Sequence, residues 1–523
     1  MRCYAPAVRS SLRFPLTLAL AVLVGCPQPS GDDDTSVDDD DTGDDDTGDD
    51  DTGDDDTGDD DDDDTTVSPT TTVQIISPPD GSTQQLFTTF VAQVDGGAPG
   101  IATWRIDGDE FHQEFFTLAT GRSEHTVDTA LWPDGTYTIS AEATSWSLTD
   151  SIQVILQNGD LLHYELGDAV YEFEPLNPTP MVLDLVPSAV SMLQMVTPAS
   201  GQPWEYLAGY AWNPDGEWAI GGANTSVYPI SAAGGAPWAG GIPNHPNVPW
   251  LTGQYLLYPW GDETADGDTM TVDAVVKRAF SEPTAGLLHL DFYFVSGVAV
   301  SAATAPSHSG LQNMLDALES VFLAANIALG DVRYFDLPNA GYLNIDSYDE
   351  LTALFAQSVT SGDRVVNVFV VEDIDLVGAD PLGVASHIPG PALLNGTGQS
   401  GVALVDQYIQ SNEPGTAAAL AAHEIGHYLG LYHCSEVSGT LHDPLLDTVQ
   451  CCNGGSCSAT NLMDPYLYGD TSITDDQAWV LHRHPLVELI DPSQLPARSA
   501  PGLVNGADGL LSGPVPHFCG VGQ

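Results

Sequence analysis

The sequence predicts a multidomain chain in which a β-sandwich and a second β-rich domain precede an α/β (α+β) domain. Three observations support this fold class. The length of 523 residues exceeds what one hydrophobic core usually serves. Short alternating apolar runs separated by turn residues fill residues 71 to 158. From residue 286 onward, strands of the buried kind alternate with amphipathic helices. We expect further boundaries after residues 158, 285 and 490.

Residues 1 to 25 are typical of an export signal. Three arginines precede an apolar run over residues 16 to 24, which is too short for a permanent membrane-spanning helix. The sequence Leu23-Val24-Gly25-Cys26 resembles the lipobox of bacterial lipoproteins, which implies that Cys26 is acylated and becomes the new N-terminus. Because Pro27 rather than Asp follows, the resemblance implies an outer-membrane lipoprotein, surface-exposed or facing the periplasm. A plain secretory signal is the alternative, as is later release from the cell.

Residues 26 to 70 predict an extended acidic linker after the lipidated cysteine. A DDDTG repeat within it cannot bury apolar surface, and its charges repel one another, so we expect disorder. The whole chain has 74 acidic and 11 basic residues, for a net charge of −63. Anionic membrane surfaces are therefore poor partners, and we expect no nucleic-acid partner, since binding either needs basic patches. The acidity reflects either a saline habitat or bound Ca²⁺, which leaves calcium open as a second cofactor.

Two β-rich domains are expected between residues 71 and 285. In the first, runs beginning at Thr103 (Thr-Trp-Arg-Ile-Asp-Gly) and Pro133 (Pro-Asp-Gly-Thr-Tyr-Thr-Ile) resemble bacterial immunoglobulin-like modules, which mostly serve as spacers. We therefore expect an Ig-like β-sandwich over residues 71 to 158. The second domain, residues 159 to 285, holds six of the ten tryptophans between Trp204 and Trp260. Core packing is the commoner use of such residues, and a carbohydrate-stacking face is the alternative.

The region from residue 286 predicts strands and helices in alternation. We expect strands at residues 287–295, 332–335 and 365–371, and helices at 310–326, 347–359 and 415–430. Residues 401 to 405 are expected to form an exposed edge strand.

Residues 423 to 433 read His-Glu-Ile-Gly-His-Tyr-Leu-Gly-Leu-Tyr-His. On a helix, His423 and His427 project from the same face, where two imidazoles can reach one Zn²⁺ at about 2.0 to 2.1 Å. Gly430 stands where the helix must end, because a left-handed turn is low in energy for glycine, and the turned chain can bring His433 to a third position. Glu424 lies beside the pair, where it can accept a proton from water. Three ligands and an open fourth position describe a catalytic zinc.

This eleven-residue motif resembles the zinc site of metzincin peptidases, as does the run Asn461-Leu-Met-Asp-Pro-Tyr. The latter resembles the metzincin Met-turn, which implies that Met463 forms an apolar floor beneath the histidines. The runs Leu441-His-Asp-Pro-Leu-Leu-Asp-Thr and Thr474-Asp-Asp-Gln, with the cysteines between them, resemble the pappalysin (cytophagalysin) branch.

The chain departs from that branch in two places. Pro465 stands where a tyrosine is usual, so Tyr466 and Tyr468 are the nearest candidates for a tyrosine that stabilises the transition state. The branch also has a cysteine soon after the Met-turn, and here the next one is Cys519.

The resemblance implies a zinc-dependent endopeptidase that hydrolyses extracellular proteins, with residues 286 to 490 as a metzincin-like catalytic domain and residues 491 to 523 as an extension. It also implies a disulfide between Cys434 and Cys457, with Cys451 or Cys452 as the alternative partner of Cys434. We expect a protein or peptide substrate to lie extended along residues 401 to 405. A non-catalytic surface adhesin with a degenerate protease domain is the competing class, and a zinc hydrolase acting on another bond is a third.

Overall fold

The computed structural model describes residues 71–96, 100–170, 180–199, 210–220, 237–258, 267, 269–359, 363–376, 381–436, 442–449, 461–466 and 471–496. All of these belong to the unit that begins at Ser68. The predicted signal peptide, the lipidation site Cys26, the acidic linker and most of the C-terminal extension lie outside the described ranges. Among the residues that are described, no helix is long and apolar enough to cross a membrane.

The first β region forms two sheets around one core. Its strands are β1 (Thr72–Ser77), β2 (Ser82–Gln84), β3 (Phe87–Asp95), β4 (Ile101–Ile106), β5 (Asp109–Phe115), β6 (Arg122–Asp128), β7 (Gly135–Ala143) and β8 (Leu148–Leu156). They pair in the orders β1-β3-β6 and β2-β8-β7-β4-β5. Phe90 and Trp104 meet in the core with ring centroids 6.1 Å apart. The predicted β character of this region is confirmed, and it extends to the mostly polar strands β5 and β6.

The second β region, residues 159–285, also has two antiparallel sheets. Its strands are β9 (Leu161–Val170), β10 (Met181–Leu185), β11 (Ala189–Pro198), β12 (Tyr210–Trp212), β13 (Trp218–Ile220), β14 (Trp238–Ile242), β15 (Gly253–Tyr258) and β16 (Thr269–Arg278). The sheet orders are β14-β11-β16-β9 and β10-β15-β12-β13. Apolar side chains such as Leu183, Met192 and Val276 form a core in this region, so it too is β-rich as predicted.

The C-terminal region, residues 286–490, combines helices with a six-stranded sheet. Its elements are β17 (Gly286–Val295), α1 (Ser309–Leu323), β18 (Ile327–Leu337), β19 (Asn344–Ile345), α2 (Tyr348–Phe355), β20 (Val366–Val371), β21 (Asp373–Ile374), β22 (Gly383–Ala385), β23 (Val402–Val405), α3 (Gln407–Gln410), α4 (Pro414–Tyr428), α5 (Asp475–Arg483) and β24 (Val487–Leu489). The sheet order is β18-β17-β20-β23-β22, and β24 pairs with β17. Helix α4 packs against α1, β22 and β23.

One prediction about this sheet is wrong. Residues 401 to 405 were expected at an exposed edge, but β23 lies between β20 and β22 and is fully buried. Its run Val-Ala-Leu-Val is the continuous apolar pattern of a strand that is covered on both faces. The strand at this edge of the sheet is the short antiparallel β22, whose three residues are also buried.

The second β region and the C-terminal region share a hydrophobic core. Leu193, Met195 and Val275 belong to the same cluster of buried side chains as β17 and β20. Arg364 of the C-terminal region forms two hydrogen bonds with the Asp160 carboxylate, at 2.6 and 2.8 Å.

Lys277 on β16 reinforces this junction from within. Its ammonium group is fully buried and donates to the carbonyl oxygens of His482 at 2.6 Å, His484 at 2.9 Å and Val487. Burial lowers the pKa of Lys277 well below its usual value. These contacts make the second β region a structural support of the C-terminal region.

Candidate metal centre

Helix α4 carries the predicted histidines, and its sequence explains its course. Pro414 occupies the first turn, where a missing N–H is harmless, and residues 417 to 422 are apolar and buried. The helix ends after Tyr428, and Gly430 adopts a φ of +103°, a left-handed conformation that favours glycine. Its N–H donates to His427 O at 2.9 Å, and Leu431 N donates to Gly426 O at 2.9 Å. This turn directs the chain back toward the helix face that bears the histidines.

The structure brings His423, His427 and His433 together. Their Nε2 atoms lie 3.1 Å apart for His423 and His427, 3.2 Å for His423 and His433, and 3.3 Å for His427 and His433. Ligands at about 2.05 Å from a tetrahedral ion are about 3.3 Å from one another, so this spacing fits a single bound cation. All three side chains are only 1% exposed.

The opposite ring nitrogens show which atoms are available for a metal. Nδ1 of His423 lies 2.7 Å from Leu462 O, and Nδ1 of His427 lies 2.6 Å from Leu431 O. A carbonyl can only accept, so these Nδ1 atoms carry the protons and the Nε2 lone pairs face inward. Nδ1 of His433 lies 3.1 Å from Glu436 Oε2. Lone pairs that converge in a buried site are unfavourable without a cation, and three imidazoles are a donor set suited to Zn²⁺.

Glu424 is buried beside the edge strand β22. A Cβ added to Gly383 would lie 2.7 Å from Glu424 Cγ, so the strand runs directly against this side chain. Burial raises the pKa of Glu424 to about 8, and a hydrogen bond from the Ala385 backbone offsets part of the rise. The carboxyl group therefore holds a proton more readily than an exposed glutamate does.

Met463, the predicted Met-turn residue, is fully buried next to α4. A Cβ added to Gly426 would lie 3.0 Å from Met463 Sδ, so the glycine between the two helical histidines allows the sulfur to approach. The N–H of Cys434 donates to Met463 O at 3.1 Å, which ties the turn to the segment after His433.

Helix α5 also contacts this turn. The side-chain amides of Asn461 and Gln477 exchange two hydrogen bonds, each of 3.0 Å. Gln477 also completes a capping box with Thr474 at the start of α5. The run that suggested the pappalysin branch thus has a local structural role.

The remaining predicted residues are only partly described. Tyr466 follows the turn, and its N–H donates to Asp464 Oδ1 at 3.0 Å, whereas Tyr468 lies outside the described residues. Cys434 is buried with its Sγ 3.4 Å from Met463 O. Cys457 and its alternatives at 451 and 452 are outside the described ranges, so the disulfide remains a prediction.

Sequence reasoning missed three contributors to this site: Glu436, Gly383 and Gly426. Gly426 was visible inside the motif, where a glycine in mid-helix signals close packing. Glu436 and Gly383 belong to no motif, and their roles depend on contacts with residues that are already placed.

No protein-family model and no curated protein matches this chain. Among solved structures, it is weakly similar to metalloproteinase-II from Bacteroides fragilis, at 13% identity and a TM-score of 0.21, over 35% of this chain and 59% of that one. Similarity to an endo-β-1,4-mannanase from Thermotoga petrophila covers 17% of this chain and 20% of that one, at 23% identity and a TM-score of 0.16. This chain therefore spans about a fifth of the mannanase and about three fifths of the metalloproteinase.

A structure of carbohydrate-binding modules from the β-sandwich superfamily is 10% identical, over 40% of this chain and 99% of that one, with a TM-score of 0.13. Likenesses this low carry no argument about function. What the described residues show is three buried histidines whose ring nitrogens converge and could hold a metal ion.

Proposed function

We propose that this chain is a zinc-dependent endopeptidase of the metzincin type, closest to the pappalysin branch. The observation that carries the proposal is the convergence of three Nε2 atoms, from His423, His427 and His433, at 3.1 to 3.3 Å from one another. Imidazole sets also bind other transition metals. Zinc is favoured because both the sequence motif and the spacing of the Nε2 atoms fit a tetrahedral zinc site. A site with three protein ligands also leaves a fourth position for chemistry.

When bound, zinc would supply Lewis acidity that activates a water molecule and polarises a peptide carbonyl. Glu424 is the residue that would take the proton of the attacking water and pass it to the departing amine. Its burial and raised pKa suit a group that must accept a proton and then release it near neutral pH. Tyr466 and Tyr468 remain candidates for an additional donor to the transition state.

Substrate would pair with the edge strand β22, in place of the internal strand β23. An extended peptide can add to an exposed strand edge through main-chain hydrogen bonds. Ala385 of β22 donates a backbone hydrogen bond to Glu424, so a peptide on this strand would pass close to the base. In the present conformation β22 is itself buried and Glu424 is 1% exposed, so a peptide can reach them only after the surrounding chain opens.

The cellular setting is also proposed. Lipidation of Cys26 would anchor the protein in the outer membrane, and the acidic segment would hold the enzyme away from it, where extracellular proteins are available. Calcium as a second metal rests on the acidity alone. Within the described residues, the histidine trio is the one close group of three or more His, Cys, Asp or Glu side chains.

A binding protein is the second candidate function. The first β region exposes large apolar side chains, with Phe87, Phe115 and Leu118 at 71%, 75% and 88% exposure. Exposed apolar side chains mark a binding surface where they form a contiguous patch. An adhesin that has kept its metal site would show this surface and no hydrolysis.

The test is hydrolysis of casein and gelatin by the purified chain, with and without a zinc chelator. We expect cleavage that the chelator abolishes and that added zinc restores. Zinc bound at one equivalent without any cleavage would contradict the proposal and favour the adhesin, or a hydrolase for a different bond.

A further inference from the structure

The three histidines differ in what holds their outer nitrogens. Nδ1 of His423 and Nδ1 of His427 each face a backbone carbonyl. Nδ1 of His433 instead faces the carboxylate of Glu436, three residues further along the chain, at 3.1 Å. The Glu436 side chain is 12% exposed, so water screens this pair poorly.

The two kinds of partner, carbonyl and carboxylate, differ in the charge that they bring to the metal site. A carbonyl orients an imidazole without adding charge, whereas a carboxylate also raises the basicity of the ring. A divalent ion on three neutral imidazoles would keep both positive charges in a site whose four central side chains are 1% exposed. Buried charge is costly unless an opposite charge lies nearby.

Two carboxylates belong to the segment that carries the histidines, those of Glu424 and Glu436. Glu424 is the proposed base, so its carboxylate is used in the proton transfer itself. Glu436 contacts the outer side of the His433 ring, away from Nε2, and takes no part in the proposed proton transfer.

We propose that Glu436 is a positioning residue of the metal centre, whose carboxylate fixes the ring of His433 and supplies a negative charge that offsets the bound cation. This inference rests on the proposed zinc site, and it does not depend on which bond the enzyme hydrolyses. Loss of such an outer partner typically lowers metal affinity by about 10- to 100-fold.

Two substitutions separate the two parts of this role. Glu436→Gln keeps an acceptor oxygen and the size of the side chain but removes the charge, and Glu436→Ala removes both. Glu413→Gln is the matched control, because Glu413 is an exposed carboxylate at the start of α4 whose side chain makes no capping hydrogen bond. Each variant is made in the full chain, and circular dichroism of the metal-free proteins checks the fold.

The measurements are the zinc dissociation constant, by competition with a chromogenic chelator, and the visible spectrum of the Co²⁺ form. We expect zinc binding about 10-fold weaker for Glu436→Gln and about 100-fold weaker for Glu436→Ala. The Co²⁺ bands should shift in both, and Glu413→Gln should match wild type. If Glu436→Ala misfolds, Glu436→Gln and Glu436→Asp carry the test, with Glu436→Asp expected to bind zinc more tightly than Glu436→Gln.

A Glu436→Gln protein with wild-type zinc affinity and a wild-type Co²⁺ spectrum would overturn the inference. This holds even if Glu436→Ala binds zinc more weakly. A wild-type chain that binds zinc in a Glu436-dependent way but cleaves no peptide would support it while refuting the proposed function. A wild-type chain that binds no zinc would refute both.

Discussion

Replacing Lys277 with methionine should destabilise the second β region and the metal centre together. The ammonium group donates to three carbonyls at the end of α5 and just beyond it. Helix α5 also holds the turn at Met463 through the paired amides of Gln477 and Asn461. A change at Lys277 therefore reaches the floor of the candidate site through one helix.

The expected loss of stability is the difference between the hydrogen bonds that methionine removes and the cost of burying a charge, which methionine avoids. A hydrogen bond to a charged group contributes about 1.5 to 3 kcal/mol, so three amount to roughly 4 to 9 kcal/mol. Methionine fills the space of the lysine stem but avoids burying a charge, which costs several kcal/mol. We expect a net loss of about 2 to 4 kcal/mol in the free energy of unfolding, a large share of a typical total of about 5 to 15 kcal/mol.

The assay is urea unfolding of the full, zinc-loaded chain, followed by tryptophan fluorescence and by release of zinc to an indicator. Both midpoints should fall together in Lys277→Met. Arg122→Met is the control, since Arg122 is 46% exposed and its ion pair with Glu124 spans 3.9 Å, which predicts a change below about 0.5 kcal/mol. A Lys277→Met protein as stable as the control, or one in which only the fluorescence midpoint falls, would refute the reasoning.

Two further predictions concern single side chains. The methyl group of Gly383→Ala would meet Glu424 Cγ at 2.7 Å and displace the proposed base. Peptide hydrolysis should therefore fall about 10²-fold while the zinc content stays at the wild-type level. Loss of zinc would contradict this prediction. Burial raises the pKa of Asp443 to about 7, and the nearby charges of Asp447 and Asp476 add to this rise. Asp443 therefore stabilises the fold at pH 4, and this contribution is lost as the pH rises through 7. The unfolding free energy of wild type relative to Asp443→Asn should therefore fall by up to about 4 kcal/mol between pH 4 and pH 8, and equal pH slopes would disprove it.

The sequence predicted those parts of the site that depend on local periodicity. His423 and His427 are four residues apart, which places them on one helix face in any α-helix, and Gly430 marks the end of that helix. The expected helix at 310–326 and strand at 365–371 likewise correspond to α1 and β20, because their apolar spacing reflects burial.

Features that depend on the order of strands or on backbone partners were not predictable in the same way. Strand β22 has three residues and no distinctive pattern, so its place at the edge could not be distinguished from that of β23. Lys277 is conspicuous as the one lysine of the full sequence, but its partners are backbone carbonyl groups, which cannot be recognised from side-chain identity. Glutamate and histidine side chains commonly pair, yet Glu436 and His433 meet only because of the path of the chain after His433.

The central claim is that α4 both binds the metal and supplies the base, and it is tested by measuring zinc content and peptide hydrolysis in Glu424→Ala. We expect zinc to remain near one equivalent, because the three histidines are intact, and hydrolysis to fall by about 10²- to 10⁴-fold without a positioned base. His427→Ala, measured in parallel, should lose both zinc and activity. A Glu424→Ala protein that keeps its zinc and cleaves peptide at nearly the wild-type rate would contradict the account.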